Sequence, residues 1–340
     1  MIVFGQLTFK ELEKWLLLEG FKAQHARKIW QDFYQAERAG QSNKQDLPIR
    51  LIHRLEESFD YSPSLKTDQI QKSADGTQKF LFKTGDNLSV EAVFIPQGKR
   101  NTICLSSQIG CPWSCRFCAT GAMGFRRNMS VSEMVSQVTL VQGHVQEKAS
   151  NLVFMGMGEP LSNFENLRSS HSILTHPLGL AFPPRRVTIS TIGLLDGIQK
   201  MIDQNWTSPL AVSLHHHDGL KRSELMPGTL MHGLDELMGL LKRYTMKLNR
   251  PVFFEYLLLK NINDSLEDAA ALVELIRSIP CRLNLIHFHP FGEAAFQPSD
   301  SEQADAFYRY IQKAGIQVIF RKSRGEDIRA ACGQLAGGNA

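Results

Sequence analysis

Apolar side chains recur at helical spacing near the start of the chain and then give way to short apolar runs separated by helix-length stretches. Residues 9–34, FKELEKWLLLEGFKAQHARKIWQDFY, put Leu12, Trp15 and Leu16 on one stripe and Ala26, Ile29, Trp30 and Phe33 on the next, which predicts amphipathic helices. Pro48 breaks the pattern, and a further helix is expected around Leu51 to Phe59. Residues 1–62 thus read as a small helical domain. Between Thr67 and Pro96 the period falls to two, in KFLFK and SVEAVFIP, with Asp75-Gly76 and Gly85-Asp86 as turn pairs. Residues 63–100 are expected to be short strands linking two domains.

From Thr102 onward the runs TICLSSQ, NLVFMGM, RVTISTI, PLAVSLH, VFFEYLLL, RLNLIHFH and QVIFRK alternate with helical segments at 131–146, 164–175, 195–204, 234–248, 265–279 and 301–314. Parallel neighbours need crossover helices, so the series predicts an α/β fold, a partial or open (β/α) barrel over residues 101–340. In such barrels the reacting groups sit on loops after the C-terminal ends of the strands. The chemically unusual residues of this chain cluster there.

The 340 residues, 43% of them hydrophobic, are enough to bury an ordinary core. No stretch approaches the roughly 18 uninterrupted apolar residues of a membrane span, and the opening MIVFGQLTFKELEKW turns acidic where a signal peptide would stay apolar. A cytoplasmic protein with no membrane partner is expected. A net charge of +4 neither demands nor excludes nucleic acid. The basic groups Lys99-Arg100, Arg126-Arg127, Arg185-Arg186 and Arg321, Lys322, Arg324 are candidate phosphate contacts, with solvated surface charge as the alternative.

Three of the six cysteines fall within eight positions, which does not suit a secreted disulfide scaffold. Cys111, Cys115 and Cys118 are spaced C-x3-C-x2-C, so one short loop offers three soft sulfur ligands. Three thiolates can hold three irons of a cubane cluster and leave the fourth open to a chelating small molecule. Zinc is the competing reading, but it usually takes a second cysteine knuckle, and none follows. After the next strand comes GMGEP, whose glycines permit close backbone approach and whose Glu159 can accept from an ammonium; a plain turn is the alternative. Ser190 closes the third strand and Ser213 and His215 the fourth, as polar groups at the barrel mouth or as satisfied loop and core residues. Cys332, beyond the last strand and beside Gly333, is either a reactive thiol or a small buried hydrophobe.

The triplet with Phe117, GMGEP at 156–160, SSQIGC at 106–111, STIG at 190–193, SLH at 213–215 and RKSRGEDIRAACGQL at 321–335 resemble the RlmN/Cfr family of radical S-adenosylmethionine (SAM) RNA adenine methyltransferases. The similarity runs over nearly the whole chain, and its pairing of the triplet with ACGQL is specific. It implies a partial (β/α) radical SAM barrel and a [4Fe-4S] cluster on Cys111, Cys115 and Cys118. It also implies SAM held by Gly158, Glu159, Ser190, Ser213 and His215, and an electron donor such as flavodoxin or ferredoxin. The family's substrate is RNA, 23S ribosomal RNA and in some members tRNA, methylated at adenine C2 or, in a variant, C8. By the same resemblance Cys332 takes a methyl group from one SAM, and a radical from a second SAM activates it for addition to the ring. Cys104 then releases the adduct through a transient disulfide, and Glu91 accepts the ring proton. Cys281 matches no such role and is expected to be structural.

The chain departs from the family in two places. His289 stands where an asparagine commonly contacts SAM, and a histidine contact would depend on pH. After SLH the family continues toward Ala-Pro-Asn, whereas this chain has His216, His217 and Asp218. These changes leave open a divergent paralogue with another RNA target; a radical SAM enzyme with a non-RNA substrate is a separate alternative, which would make Cys332 an idle thiol.

Overall fold

The computed structural model describes residues 1–39, 47–98, 100–291 and 296–337. Lys99, one of the expected basic groups, lies outside them. Helices α1 (Phe9–Leu18), α2 (His25–Ala39) and α3 (Ile49–Ser58) come first, framed by the two-residue strands β1 (Ile2–Val3) and β2 (Phe59–Asp60), which pair in parallel. Thr8 starts α1 with a reciprocal cap, its hydroxyl accepting the Glu11 amide while Glu11 accepts the Thr8 amide. The apolar stripes predicted for α1 and α2 converge on Phe4. That ring is fully buried, 4.5 Å from Phe33, 5.1 Å from Tyr61 and 5.5 Å from Phe59 between centroids.

The strands expected to link two domains do something else. β3 (Leu65–Lys72), β4 (Gln78–Thr84) and β5 (Ser89–Ile95) form an antiparallel meander, and β5 pairs with β6 (Thr102–Cys104). They therefore extend the main sheet. The alternation at 67–96 was legible, but which edge it would join depends on pairing between distant strands.

β6 is followed by the hairpin β7 (Gln108–Gly110) and β8 (Phe125–Asn128), with the four-residue helix α4 (Ala119–Ala122) between them. Then come α5 (Val131–His144), β9 (Asn151–Phe154), α6 (Phe164–Thr175), β10 (Val187–Thr191), α7 (Leu195–Asp203) and β11 (Leu210–Ser213). The chain continues through α8 (Gly219–Leu225), α9 (Leu234–Leu248), β12 (Val252–Leu258), α10 (Leu266–Ile276), β13 (Cys281–His287), α11 (Ser301–Lys313) and β14 (Val318–Arg321). Strands β6, β9, β10, β11, β12, β13 and β14 lie side by side in that order, every neighbouring pair parallel. No pairing joins β14 to β3 among the described residues, so the barrel is open. This is the partial (β/α) barrel that the alternation predicted.

One buried apolar cluster runs from Phe4 and Trp30 through Phe154, Val212 and Phe254 to Phe307. The helical unit thus packs on the barrel and shares its core. Among the described residues no helix is long and apolar enough to cross a membrane.

Phe4→Ala should cost about 3–5 kcal/mol, the usual loss for a fully buried phenylalanine. Hydrogen exchange should show α1 and α2 amides exchanging faster, with β12 amides unchanged.

Candidate active site

The cysteine loop turns off β7 because Gly110 and Gly124 let two backbones touch. Gly110 has φ +72°, and a Cβ there would lie 1.8 Å from the Gly124 carbonyl oxygen. The Cys111 amide donates to that carbonyl (3.1 Å), the Cys118 amide to the Cys115 carbonyl (3.1 Å) and the Arg116 amide to the Leu225 carbonyl (2.9 Å). Trp113 pins the loop's outer side, with its indole N–H donating to Ser162 Oγ at 2.9 Å.

All three cysteines line one cleft at the barrel mouth. Gly158, Glu159, Ser190, Ser213, His215 and Cys332 line the same cleft, so the structure brings nine of the sequence-derived residues together. Burial pushes the Cys111 thiol up to about 12 and raises Cys115 and Cys118, with mutual repulsion of the sulfurs adding to Cys115. Thiolates at this depth need the charge of a metal to be stable.

Glu159 is buried, and both carboxylate oxygens are engaged. Leu161 N–H donates to Oε1 at 2.9 Å and Ile192 N–H to Oε2 at 2.8 Å, which ties the loop after β9 to the loop after β10. Burial outweighs these bonds and pushes its carboxyl up to about 7. Gly158, at φ +93°, has no room for a Cβ, which would meet Gln108 Cβ at 2.4 Å. His215 adopts φ +56° and accepts Leu257 N–H at Nδ1 (3.0 Å), so its proton sits on Nε2. Burial, then the Arg222 charge, lowers its pKa to about 3, and the ring is a neutral donor packed edge-on against Phe117.

Cys332 is exposed at the cleft, on a loop where the Ala119 amide donates to the Gly333 carbonyl (2.7 Å) and Thr120 Oγ1 to the Leu335 carbonyl (2.7 Å). Cys104, at the end of β6, is buried. Burial pushes that thiol up to about 12; a charged Cys332 adds to the shift and Arg321 opposes it. Glu91 lies outside the cleft. It faces an adjoining polar pocket with Gln69, Gln71, Lys79 and Gln334. The amides of Ala336 and Gly337 donate to its Oε2 (2.8 and 3.0 Å), and Lys79 Nζ is 3.2 Å from Oε1.

His289 is also outside the cleft. Its Nε2 hydrogen-bonds the Ser323 hydroxyl and its Nδ1 lies 3.1 Å from Glu326, so both nitrogens are spent on the C-terminal segment. The basic groups are likewise redistributed. Arg127 is held by Asp86 (2.7 Å) and Glu133 (2.8 Å), and Arg324 is 3.7 Å from Asp75. Arg321 points into the cleft, 3.4 Å from Glu255. Their charges are matched by carboxylates that no local sequence pattern revealed. Cys281, as expected, stays outside the site; burial raises its thiol, which points to the Ile276 carbonyl. Sequence reading missed Glu255 and Arg222. The Arg222 guanidinium is buried and donates to the carbonyls of Leu214 (3.1 Å), Ser213 (2.9 Å) and Ile192.

An open parallel barrel with three thiols on the loop after its first strand, beside a glycine-lined cleft, defines a radical SAM enzyme. The Radical SAM superfamily model matches residues 105–273. A radical SAM methyltransferase from Sphaerobacter thermophilus superposes with a TM-score of 0.91 at 35% identity, over 99% of this chain and all of that one. The cofactors of the class are a [4Fe-4S] cluster and SAM. Among curated proteins, the dual-specificity RNA methyltransferase RlmN of Geobacter sulfurreducens is 40% identical over 99% of this chain and 92% of its own. That of Solidesulfovibrio magneticus is 40% identical over 97% and 95%. The chain belongs to the RlmN family.

Gly110→Ala should cost several kcal/mol and lower iron content on anaerobic reconstitution, since the Gly124 carbonyl cannot yield without moving the loop. Gly124→Ala, at φ +71° but with open space around a new Cβ, should cost only about 1–2 kcal/mol and keep its iron. Equal iron loss in both would refute this account of the loop.

Proposed function

We propose that this chain methylates C2 of adenine in RNA, with 23S ribosomal RNA and transfer RNA as substrates, in the cytoplasm. The observation that carries the reading is the convergence of Cys332 and the three-cysteine loop at one cleft. Cys111, Cys115 and Cys118 would hold the cluster, and the chemistry supplied there is one-electron reductive cleavage of SAM to methionine and a carbon radical. Flavodoxin or ferredoxin is the proposed electron donor. The unit formed by residues 1–62 is assigned to RNA contact and residues 101–340 to catalysis, with residues 63–100 extending the catalytic sheet.

The chain's own residues account for the remaining steps. A ring carbon such as C2 is electrophilic and cannot attack a sulfonium methyl, so a protein nucleophile has to take the methyl first. Cys332, exposed at the cleft, is placed to do so, leaving S-adenosylhomocysteine. After its S-methyl group has lost a hydrogen atom and the resulting carbon radical has added to the ring, the adduct gives up its unpaired electron to a one-electron acceptor and Glu91 is assigned to take the ring proton, exchanging the Ala336 and Gly337 amides as the C-terminal segment shifts. Cys104 then attacks the Cys332 sulfur. The carbon–sulfur bond breaks, the disulfide forms, and the bonding pair passes to the methylene carbon, which is protonated to methyl. Because burial keeps Cys104 protonated, its proton must leave as it attacks.

Cys332→Ala should keep the cluster absorbance and give no methyladenosine by mass spectrometry of RNA. Cys104→Ala should accumulate a protein–RNA adduct through Cys332 that survives denaturation, seen on gels after nuclease treatment. Normal turnover by Cys104→Ala, or methylation by Cys332→Ala, would sink the two-cysteine reading.

A further inference from the structure

The left-handed turn at His215 divides three consecutive histidines between two sides of the barrel wall. His215 faces the cleft, whereas His217 borders a separate polar cleft lined by Lys221, Lys260, Asp264 and Asp300. His216 is fully buried, and its Nε2 makes no hydrogen bond of ordinary geometry. His217 Nδ1 is likewise without a hydrogen bond, 3.6 Å from Asp268 Oδ1. Asp268 uses its other oxygen to cap α10, where Ser265 N–H donates to Oδ2 at 3.1 Å and Ser265 Oγ at 2.6 Å. Ligand atoms from His216, His217 and Asp268 all lie within 4.8 Å of one another, the sole such trio among the described residues. None of the three belongs to the site described above.

His217 Nδ1 has no hydrogen bond and His216 Nε2 has only a weak one to the Ile262 backbone, and both nitrogens lie beside a carboxylate oxygen. The 3.6 Å between His217 Nδ1 and Asp268 Oδ1 is too long for a direct hydrogen bond. The separations suit ligands that each sit about 2.0–2.2 Å from a shared ion. Two histidines and one carboxylate form a borderline donor set that selects a divalent transition ion over magnesium or calcium, which take oxygen ligands. We propose that His216, His217 and Asp268 bind a divalent transition-metal ion, zinc being the simplest occupant, independently of the cysteine loop. The ion would join the β11 loop to the N-terminus of α10 and so brace the turn that presents His215.

Burial, then the neighbouring His217, lowers the His216 pKa against the pull of Asp268, so the ring is neutral. His216 Nδ1 accepts the Asp218 amide (3.0 Å), which leaves the ring proton on Nε2. Ligation through Nε2 moves that proton to Nδ1 and gives up the Asp218 bond. A small shift of residues 216–218 therefore accompanies binding.

The test uses the full chain with its cluster loaded, stripped of loosely held ions, and titrated with Zn²⁺ and with Co²⁺. The expected result is one equivalent of Zn²⁺ beyond the iron, and Co²⁺ absorption in the visible without sulfur charge-transfer bands. His217→Ala should weaken binding by at least about a hundredfold, more than loss of an outer partner costs, with iron content and cluster absorbance retained. His217→Gln, closer in size and polarity, should show the same loss and serves if the alanine variant fails to fold. Absence of zinc binding, affinity unchanged by either substitution, or thiolate bands in the Co²⁺ spectrum would each overturn the site.

Discussion

Backbone groups stranded at the C-terminal ends of parallel strands must find partners inside a narrow, partly dry mouth, and the rest of this structure follows from how they do. Water cannot serve them all, and an unpaired buried N–H or C=O costs about 1–3 kcal/mol. Here charged and polar side chains take the role. Glu159 accepts amides from the loops after β9 and β10, and Arg222 donates to carbonyls after β10 and β11. Asn263 donates to the carbonyls of His215 (2.6 Å) and Leu257 (2.7 Å) and accepts the Leu259 amide (2.7 Å). The loops are stitched to one another across the mouth, and the cleft keeps its shape.

That stitching explains why some residues serve two purposes. Glu159 carries lone pairs toward the cleft while its hydrogen bonds hold it rigid, and its raised pKa is the consequence of placing a carboxylate there at all. His215 is neutral because burial makes the imidazolium costly, and its fixed tautomer presents an N–H rather than a lone pair. A site built in this way is ordered before any ligand arrives, which lowers the cost of binding.

The C-terminal segment is held differently. Many of its anchors lie on the antiparallel meander: Asp327 accepts from Ser73 Oγ (2.5 Å), Lys79 Nζ donates to the Arg329 carbonyl (3.3 Å), and Glu91 accepts the Ala336 and Gly337 amides. The meander thus shares with α4, which holds the Gly333 and Leu335 carbonyls, the support of the loop that carries Cys332.

The sequence by itself determined the series of βα units, the amphipathic helices, the cysteine loop and the polar residues that close β9, β10 and β11. Each is encoded locally, as a period of 3.6 or 2 or as ligands a few residues apart. Nine of the sequence-derived site residues meet at one cleft because parallel strands in sequential order necessarily bring their C-terminal loops together. Only the tertiary structure decided that residues 65–95 extend the sheet, that Arg127 and Arg321 turn inward to carboxylates, and that Glu91 and His289 face the C-terminal segment. It likewise brought Asp268 to His216 and His217, some fifty residues away in the chain. These outcomes rest on pairings between distant segments, and a side chain's neighbours across a sheet or between loops leave no trace in the periodicity of either strand.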